Sequence, residues 1–163
     1  MIIFIGADHR GFELKEKLKT WLSQNGHQVE DVGAPSLDPD DDYPKYAEAV
    51  AQRVSVSDTP TDYNPTEQEG AQARRGIVIC GSGVGVDIVA NKFDGIRSGL
   101  GINSDQIKSA RADDDINVLA IAANETDEST AIEMAKVFLE TEFETAERRT
   151  RRLNEIKEIE KNQ

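Results

Sequence analysis

An α/β fold built on a five-stranded parallel sheet is predicted for this chain of 163 residues by three features. Short apolar, β-branched runs recur along the chain, and the stretches between them carry helical periodicity instead. Each return from helix to strand implies a βαβ crossover and a sheet with helices on both faces. The central stretch 76–97, GIVICGSGVGVDIVANKFDGIR, runs from a buried strand through a glycine turn straight into helix-compatible sequence.

Taken in order, residues 2–5 form an apolar first strand, followed by a helix whose Leu14, Leu18, Trp21 and Leu22 share one face. Asn25-Gly26 stops that helix, 27–32 is a second, less hydrophobic strand, and 33–42 is a loop rich in Pro and Asp. A helix begins near Tyr43-Pro44, where proline is tolerated in the first turn, and carries Tyr46, Val50 and Val54. Residues 55–75 hold Pro60, Pro65 and Gly70 with hardly any apolar side chain, so they read as a long polar insert. Ile77, Val78 and Ile79 make the third strand, 96–102 the fourth and 116–122 the fifth. Helices are expected at 104–112 and 126–139, and 113–115 reads as a helix-ending loop. The last helix, 147–161, shows only Leu153, Ile156 and Ile159 on a narrow stripe. So thin a seam suits packing along a neighbouring subunit better than burial within one chain.

A hydrophobic share of 37% and a charged share of 31% suit one well-packed core, so 1–163 is read as a single domain. The formal charge of −12 argues against nucleic acid and anionic membrane as partners, since both need broad positive potential. A small molecule fits better. The lone cysteine excludes an internal disulfide framework, and no apolar run reaches the length of a signal peptide or membrane span. A cytoplasmic location is the expectation.

Chemistry gathers at two strand ends, Asp8-His9 after the first and 80–85 after the third. In a doubly wound sheet, ligands sit beyond the carboxyl ends of the strands, where strand order reverses. The N–H groups of a helix start favour an anion there, and a thiolate at Cys80 would share that field. Each feature also has a plain structural explanation. A cysteine ending an apolar strand is commonly a packing residue, and Asp8 could simply cap a helix. Arg148 and Arg152 could pair with nearby glutamates on a solvated face. A nicotinamide-binding turn is disfavoured, because Val86 stands at the third glycine position of that fingerprint.

Four runs nevertheless carry a resemblance together: GADHRGFELKEKL at 6–18, DYPKYA at 42–47, ICGSGVGVDIVANKFDGIR at 79–97 and ERRTRRLNEI at 147–156. The chain resembles the ribose-5-phosphate isomerase B family, also called the LacA/LacB family, over nearly its whole length except the polar insert. The resemblance implies a Rossmann-like three-layer homodimer with sites between subunits, a tetramer being the open alternative. It implies aldose–ketose interconversion of a sugar phosphate, most simply ribose 5-phosphate, without metal or cofactor. Cys80 would be the base, and the backbone of Gly81, Gly83, Val84 and Gly85 the oxyanion cradle. Ser82 would relay a proton between oxygens. Asp8, His9 and Tyr43 would bind the sugar, and Arg148 and Arg152 would grip the phosphate across the interface.

One departure stands out. Where the family carries His-Asn before the fifth strand, this chain has Asp113-Asp114. The resemblance gives Asp113 the ring-opening position and Asp114 a substrate contact, yet an ionised carboxylate accepts a proton and has none to give. Three explanations stay open: a displaced acid, a substrate already acyclic such as a tetrose phosphate, or weakened catalysis. Galactose 6-phosphate and allose 6-phosphate are further candidate substrates. A non-catalytic sugar-phosphate-binding homologue, or a subunit dependent on a different partner chain, is the alternative outside the isomerases.

Overall fold

The apolar runs become five strands of one parallel sheet in a computed structural model that describes residues 1–55 and 74–162. The strands are β1 (Ile2–Ala7), β2 (Gln28–Asp31), β3 (Arg74–Cys80), β4 (Ser98–Leu100) and β5 (Val118–Ala122). Helices α1 (Phe12–Gln24), α2 (Tyr43–Val54), α3 (Val84–Ala90), α4 (Ser104–Asp114), α5 (Glu128–Glu140) and α6 (Glu147–Lys161) complete the chain. The order across the sheet is β2-β1-β3-β5-β4, so the chain reverses direction between β1 and β3. That makes the carboxyl ends of β1 and β3 the switch point.

Alternation along the strands divides the core into two layers. Ile3, Ile5, Ile77, Ile79, Leu119 and Ile121 pack with Leu14, Leu18 and Leu22 of α1, Ile107 of α4, and Met134 and Phe138 of α5. Their neighbours Phe4, Val78, Cys80, Val118 and Ala120 pack with Val50 and Val54 of α2 and with Val86 and Ala90 of α3. Each Val, Leu, Ile, Met or Phe among them contributes about 1.5–3 kcal/mol when fully buried, which is why the central strands read as continuous apolar runs. The expected three layers, helices over both faces of a parallel sheet, are present.

Several boundaries differ from the sequence reading. β2 is confined to Gln28–Asp31. β4 is only Ser98–Leu100, because the Asn117 side chain takes the Arg97 N–H at 2.8 Å and donates to Gly95 O at 2.8 Å, replacing strand pairing there. Arg74 and Arg75, expected in the polar insert, instead open β3 opposite Ile2 and Ile3. The rest of the insert, 56–73, lies outside the described residues. Asp113 and Asp114 belong to the last turn of α4 and not to a loop. The turn closes at Asp115, buried at φ 48°, whose carboxylate accepts from Arg111 Nη1 at 2.6 Å and from Arg97 Nη2 at 2.7 Å. Two guanidiniums thus offset acidic residues at a helix end that its dipole disfavours.

Helix α6 is held by little of its own chain. Leu153 is its buried residue, Glu160 accepts the Gly95 N–H at 3.1 Å, and Arg149 pairs with Asp113 and Glu144. No helix among the described residues is long and apolar enough to cross a membrane.

Candidate active site

Residues from three segments meet at the carboxyl ends of β1 and β3. The register that pairs Gly6 with Val78 and Ala7 with Ile79 sets Asp8 and His9 beside the turn that follows Cys80. Asp8 is buried, and its Oδ1 accepts the N–H groups of Arg10 (3.0 Å) and Gly11 (3.1 Å). Asp8 does not cap α1, whose N-cap is Gly11 with no side-chain bond; its carboxylate closes the turn ahead of the helix and so fixes how the chain leaves β1.

The 81–85 turn is clamped from several sides. Ala123 N donates to Cys80 O at 2.9 Å and Asn124 N to Gly81 O at 3.0 Å, so the segment after β5 ties down its start. Gly83 caps α3 at φ 71°, and a β-carbon there would lie 2.5 Å from Leu100 Cδ1 and 2.9 Å from Ala122 N. Only glycine fits both the backbone angle and the space. No side-chain cap serves the first turn of α3, which leaves its N–H groups without an intrahelical partner. The Ser82 hydroxyl is exposed at the tip.

Tyr43, the first residue of α2, leans over this turn: a β-carbon on Gly85 would meet its Cζ at 2.7 Å and its hydroxyl at 3.1 Å. Arg10 does the same from the α1 side, its Nε lying 2.7 Å from where a Gly81 β-carbon would stand. Sequence reading missed Arg10, since a charged residue opening a helix signals only a solvated face. Cys80 itself is 4% exposed, with its side chain on the α2–α3 side of the sheet. The thiol is thus more enclosed than the sequence suggested, and a reactant must reach it from beyond the strand end.

His9 has a partner that the sequence did not single out. Asp41 Oδ1 accepts both the His9 backbone N–H (2.8 Å) and ring Nδ1 (2.7 Å). That hydrogen bond holds the imidazolium above its usual range, against slight burial and with the Asp8 charge assisting. Burial pushes the Asp41 carboxyl up, but the bonds from the His9 backbone and ring outweigh it and hold it low. In the sequence Asp41 was one of four aspartates between 38 and 42, with nothing to distinguish it. Asp8, His9 and Asp41 bring possible metal-ligand atoms within 4.8 Å of one another. Asp41 Oδ1 and His9 Nδ1 are engaged with each other and Asp8 Oδ1 with backbone N–H groups, whereas Asp41 Oδ2 is buried without a partner among the described residues.

The remaining candidates stand elsewhere. Asp113 and Asp114 end α4, which leads into the start of β5, whereas Cys80 pairs with Ala122 at its finish. The intervening strand places them on the order of 15 Å away, at the opposite edge of the sheet. Arg148 and Arg152 belong to that edge too, because Arg149 between them is ion-paired to Asp113. Both are exposed, and neither has a hydrogen bond or ion pair among the described residues. One chain thus gathers Asp8, His9, Tyr43 and the 80–85 turn, and carries Asp113, Asp114, Arg148 and Arg152 on its far side.

Comparison with known proteins follows the same outline. Residues 3–156 match the family described as Ribose/Galactose Isomerase. The chain is 38% identical over 154 residues to a probable ribose-5-phosphate isomerase B of Mycoplasma pneumoniae, covering 94% of this chain and 91% of that one. It is 34% identical to ribose-5-phosphate isomerase B of Mycolicibacterium paratuberculosis, covering 99% and 92%. Among solved structures, ribose-5-phosphate isomerase B of Mycoplasma genitalium with bound ribulose-5-phosphate superposes with a TM-score of 0.86 at 33% identity, covering 99% and 97%. The Clostridium thermocellum ribose-5-phosphate isomerase B gives 0.85 at 34% identity, covering 99% of each chain.

Proposed function

The chain belongs to the ribose/galactose isomerase family, and on that premise we propose that it interconverts ribose 5-phosphate and ribulose 5-phosphate through an enediolate. The observation carrying this reading is the convergence of Asp8-His9, Tyr43 and the 80–85 turn at the switch point of the sheet. Moving a carbonyl from C1 to C2 requires a base for the carbon-bound proton and fixed dipoles for the charge that then forms on oxygen. Cys80, as thiolate, takes the C2 proton. The unpartnered N–H groups at the start of α3 hold the oxyanion, and the exposed Ser82 hydroxyl passes a proton between O1 and O2. Burial of Cys80 among apolar side chains disfavours the thiolate, so the role depends on the helix-start N–H groups beside it to stabilise the charge.

The phosphate is taken by Arg148 and Arg152 of the partner subunit, so the working unit is a dimer. Their exposure without partners supports this, as do exposed Val84 and Ile88 on α3 and Ile156 and Ile159 on α6. Asp113 stands where the family has its ring-opening histidine. Its pairing with Arg149 offsets the negative charge it would bring toward a phosphate.

The test is exchange of the C2 proton with deuterated solvent, using purified protein and a panel of four-, five- and six-carbon aldose phosphates. Exchange and turnover of ribose 5-phosphate are expected. Binding without exchange on any sugar would instead identify a non-catalytic homologue. Turnover confined to the tetrose phosphate would favour the acyclic substrate that Asp113 makes conceivable.

A further inference from the structure

A single oxygen of Asp41 holds His9 at two points, backbone and ring, and this has a consequence for the charge in the cleft. A carboxylate only accepts, so the hydrogen of the shared bond sits on His9 Nδ1. The Asp41 side chain is 1% exposed while that of His9 is 30% exposed, so the tied edge of the ring faces inward. No described residue hydrogen-bonds to the other nitrogen, Nε2. The other Asp41 oxygen, Oδ2, is buried without a hydrogen-bond partner among the described residues, so His9 alone engages this carboxylate.

We propose that Asp41 is a positioning residue for the active site, clamping His9 so that Nε2–H is presented to the cleft as a charged donor to an anionic oxygen of the sugar phosphate. The donor role rests on the isomerase reading above; the clamp itself does not. The charged and titratable groups around His9 are Asp8 from the same turn, Asp41 from the 33–42 loop, and Tyr46 and Lys45 from α2, with Arg10 adjacent in the chain. Two carboxylates act directly on the ring, whereas the Lys45 ammonium is engaged with Tyr46. The clamp therefore extends the cationic form of His9 to higher pH. Substrate affinity should weaken as pH rises through the His9 midpoint, while the chemical step carried by Cys80 is spared.

The chain has two histidines, His9 and His27, so a His27→Gln variant assigns both imidazoles in an NMR titration. Nitrogen shifts in otherwise unaltered protein should report the Nδ1–H form of neutral His9 and a midpoint above that of a free imidazole. Asp41→Asn should lower the midpoint by about one pH unit, a tenfold loss of proton affinity. Affinity for ribose 5-phosphate, measured on full-length Cys80→Ala, should fall through the same midpoint. With Asp41→Asn added, that fall should move to lower pH. In the active protein, Asp41→Asn should raise KM near neutral pH more than it lowers kcat.

An ordinary or depressed midpoint in protein with Asp41 intact, or the Nε2–H form, overturns the clamp even if Asp41→Asn does not fold. An unmoved midpoint in a folded Asp41→Asn overturns it as well. If His9 titrates as expected but ribose 5-phosphate neither binds nor reacts, the clamp stands, and the donor role falls together with the isomerase reading.

Discussion

Replacing Gly83 with Ala tests the rigidity of the turn, and Gly95→Ala supplies an internal reference. Both glycines have positive φ, 71° and 75°, so both substitutions carry a left-handed backbone cost of about 1–2 kcal/mol. Alanine also stiffens the unfolded chain by a similar amount at each site, and that term cancels in the comparison. The sites differ in space. Nothing lies within 4 Å of a β-carbon at Gly95, whereas at Gly83 one would stand 2.5 Å from Leu100 Cδ1 and 2.9 Å from Ala122 N. Relieving the second contact means shifting backbone at the end of β5, an overpacking cost of roughly 1–3 kcal/mol. For a chain this size each kcal/mol moves Tm by about 2–4 °C, so Gly83→Ala should melt about 2–12 °C below Gly95→Ala. Thermal unfolding followed by circular dichroism reads the difference. Equal melting temperatures would mean that the turn is not pinned against β4 and β5, removing the physical basis for a pre-set oxyanion cradle.

Cys80→Ala should reduce C2 proton exchange by about a hundredfold or more while sugar-phosphate binding persists; retained exchange would assign the base elsewhere. Mixing Cys80→Ala subunits with Arg148→Ala/Arg152→Ala subunits should restore about a quarter of full activity, since half the random dimers are mixed and each has one intact site. No recovery after verified subunit exchange would place all these groups in one chain's site. The His9–Asp41 pair also makes a signed statement about stability. The His9 midpoint is raised, so its contribution is full below the ordinary 6.5 and fades as pH climbs through the raised value. The Asp41 midpoint is lowered, so its contribution is present above 3.8 and fades as pH drops through the lowered value. The denaturant-unfolding gap between wild type and Asp41→Asn should therefore be largest between pH 3.8 and 6.5 and shrink above; a gap growing toward pH 9 would contradict the pairing.

The fold was legible because β5 and the inner spans of β1 and β3, 3–7 and 76–80, are buried on both faces and so must be apolar, while α1 shows its Leu14, Leu18 and Leu22 face openly. The edge strand β4 was overestimated because the 96–102 stretch does not itself reveal that Asn117 will take the place of a ladder bond. The extent of α4 was hidden for an electrostatic reason: acidic residues at a helix end look like a stop until Arg97 and Arg149 arrive from distant sequence to join Arg111 of the same helix. The same distance effect concealed Asp41. Its value lies in meeting His9 32 positions away, and an aspartate among aspartates carries no local mark of that. The Cys80–Gly85 turn announced itself locally because strand, glycines and helix start are contiguous in sequence.

The strand-long gap between the 80–85 turn and the arginines of α6 also bears on how much protein must be present for turnover. A sheet cannot fold back on itself to bring its two rims together, so no loop motion within one molecule closes that distance. Under the proposed mechanism, isolated molecules would stay folded yet idle, and rate per molecule would climb with abundance until association saturates. Progressive dilution would then silence the enzyme before it melted.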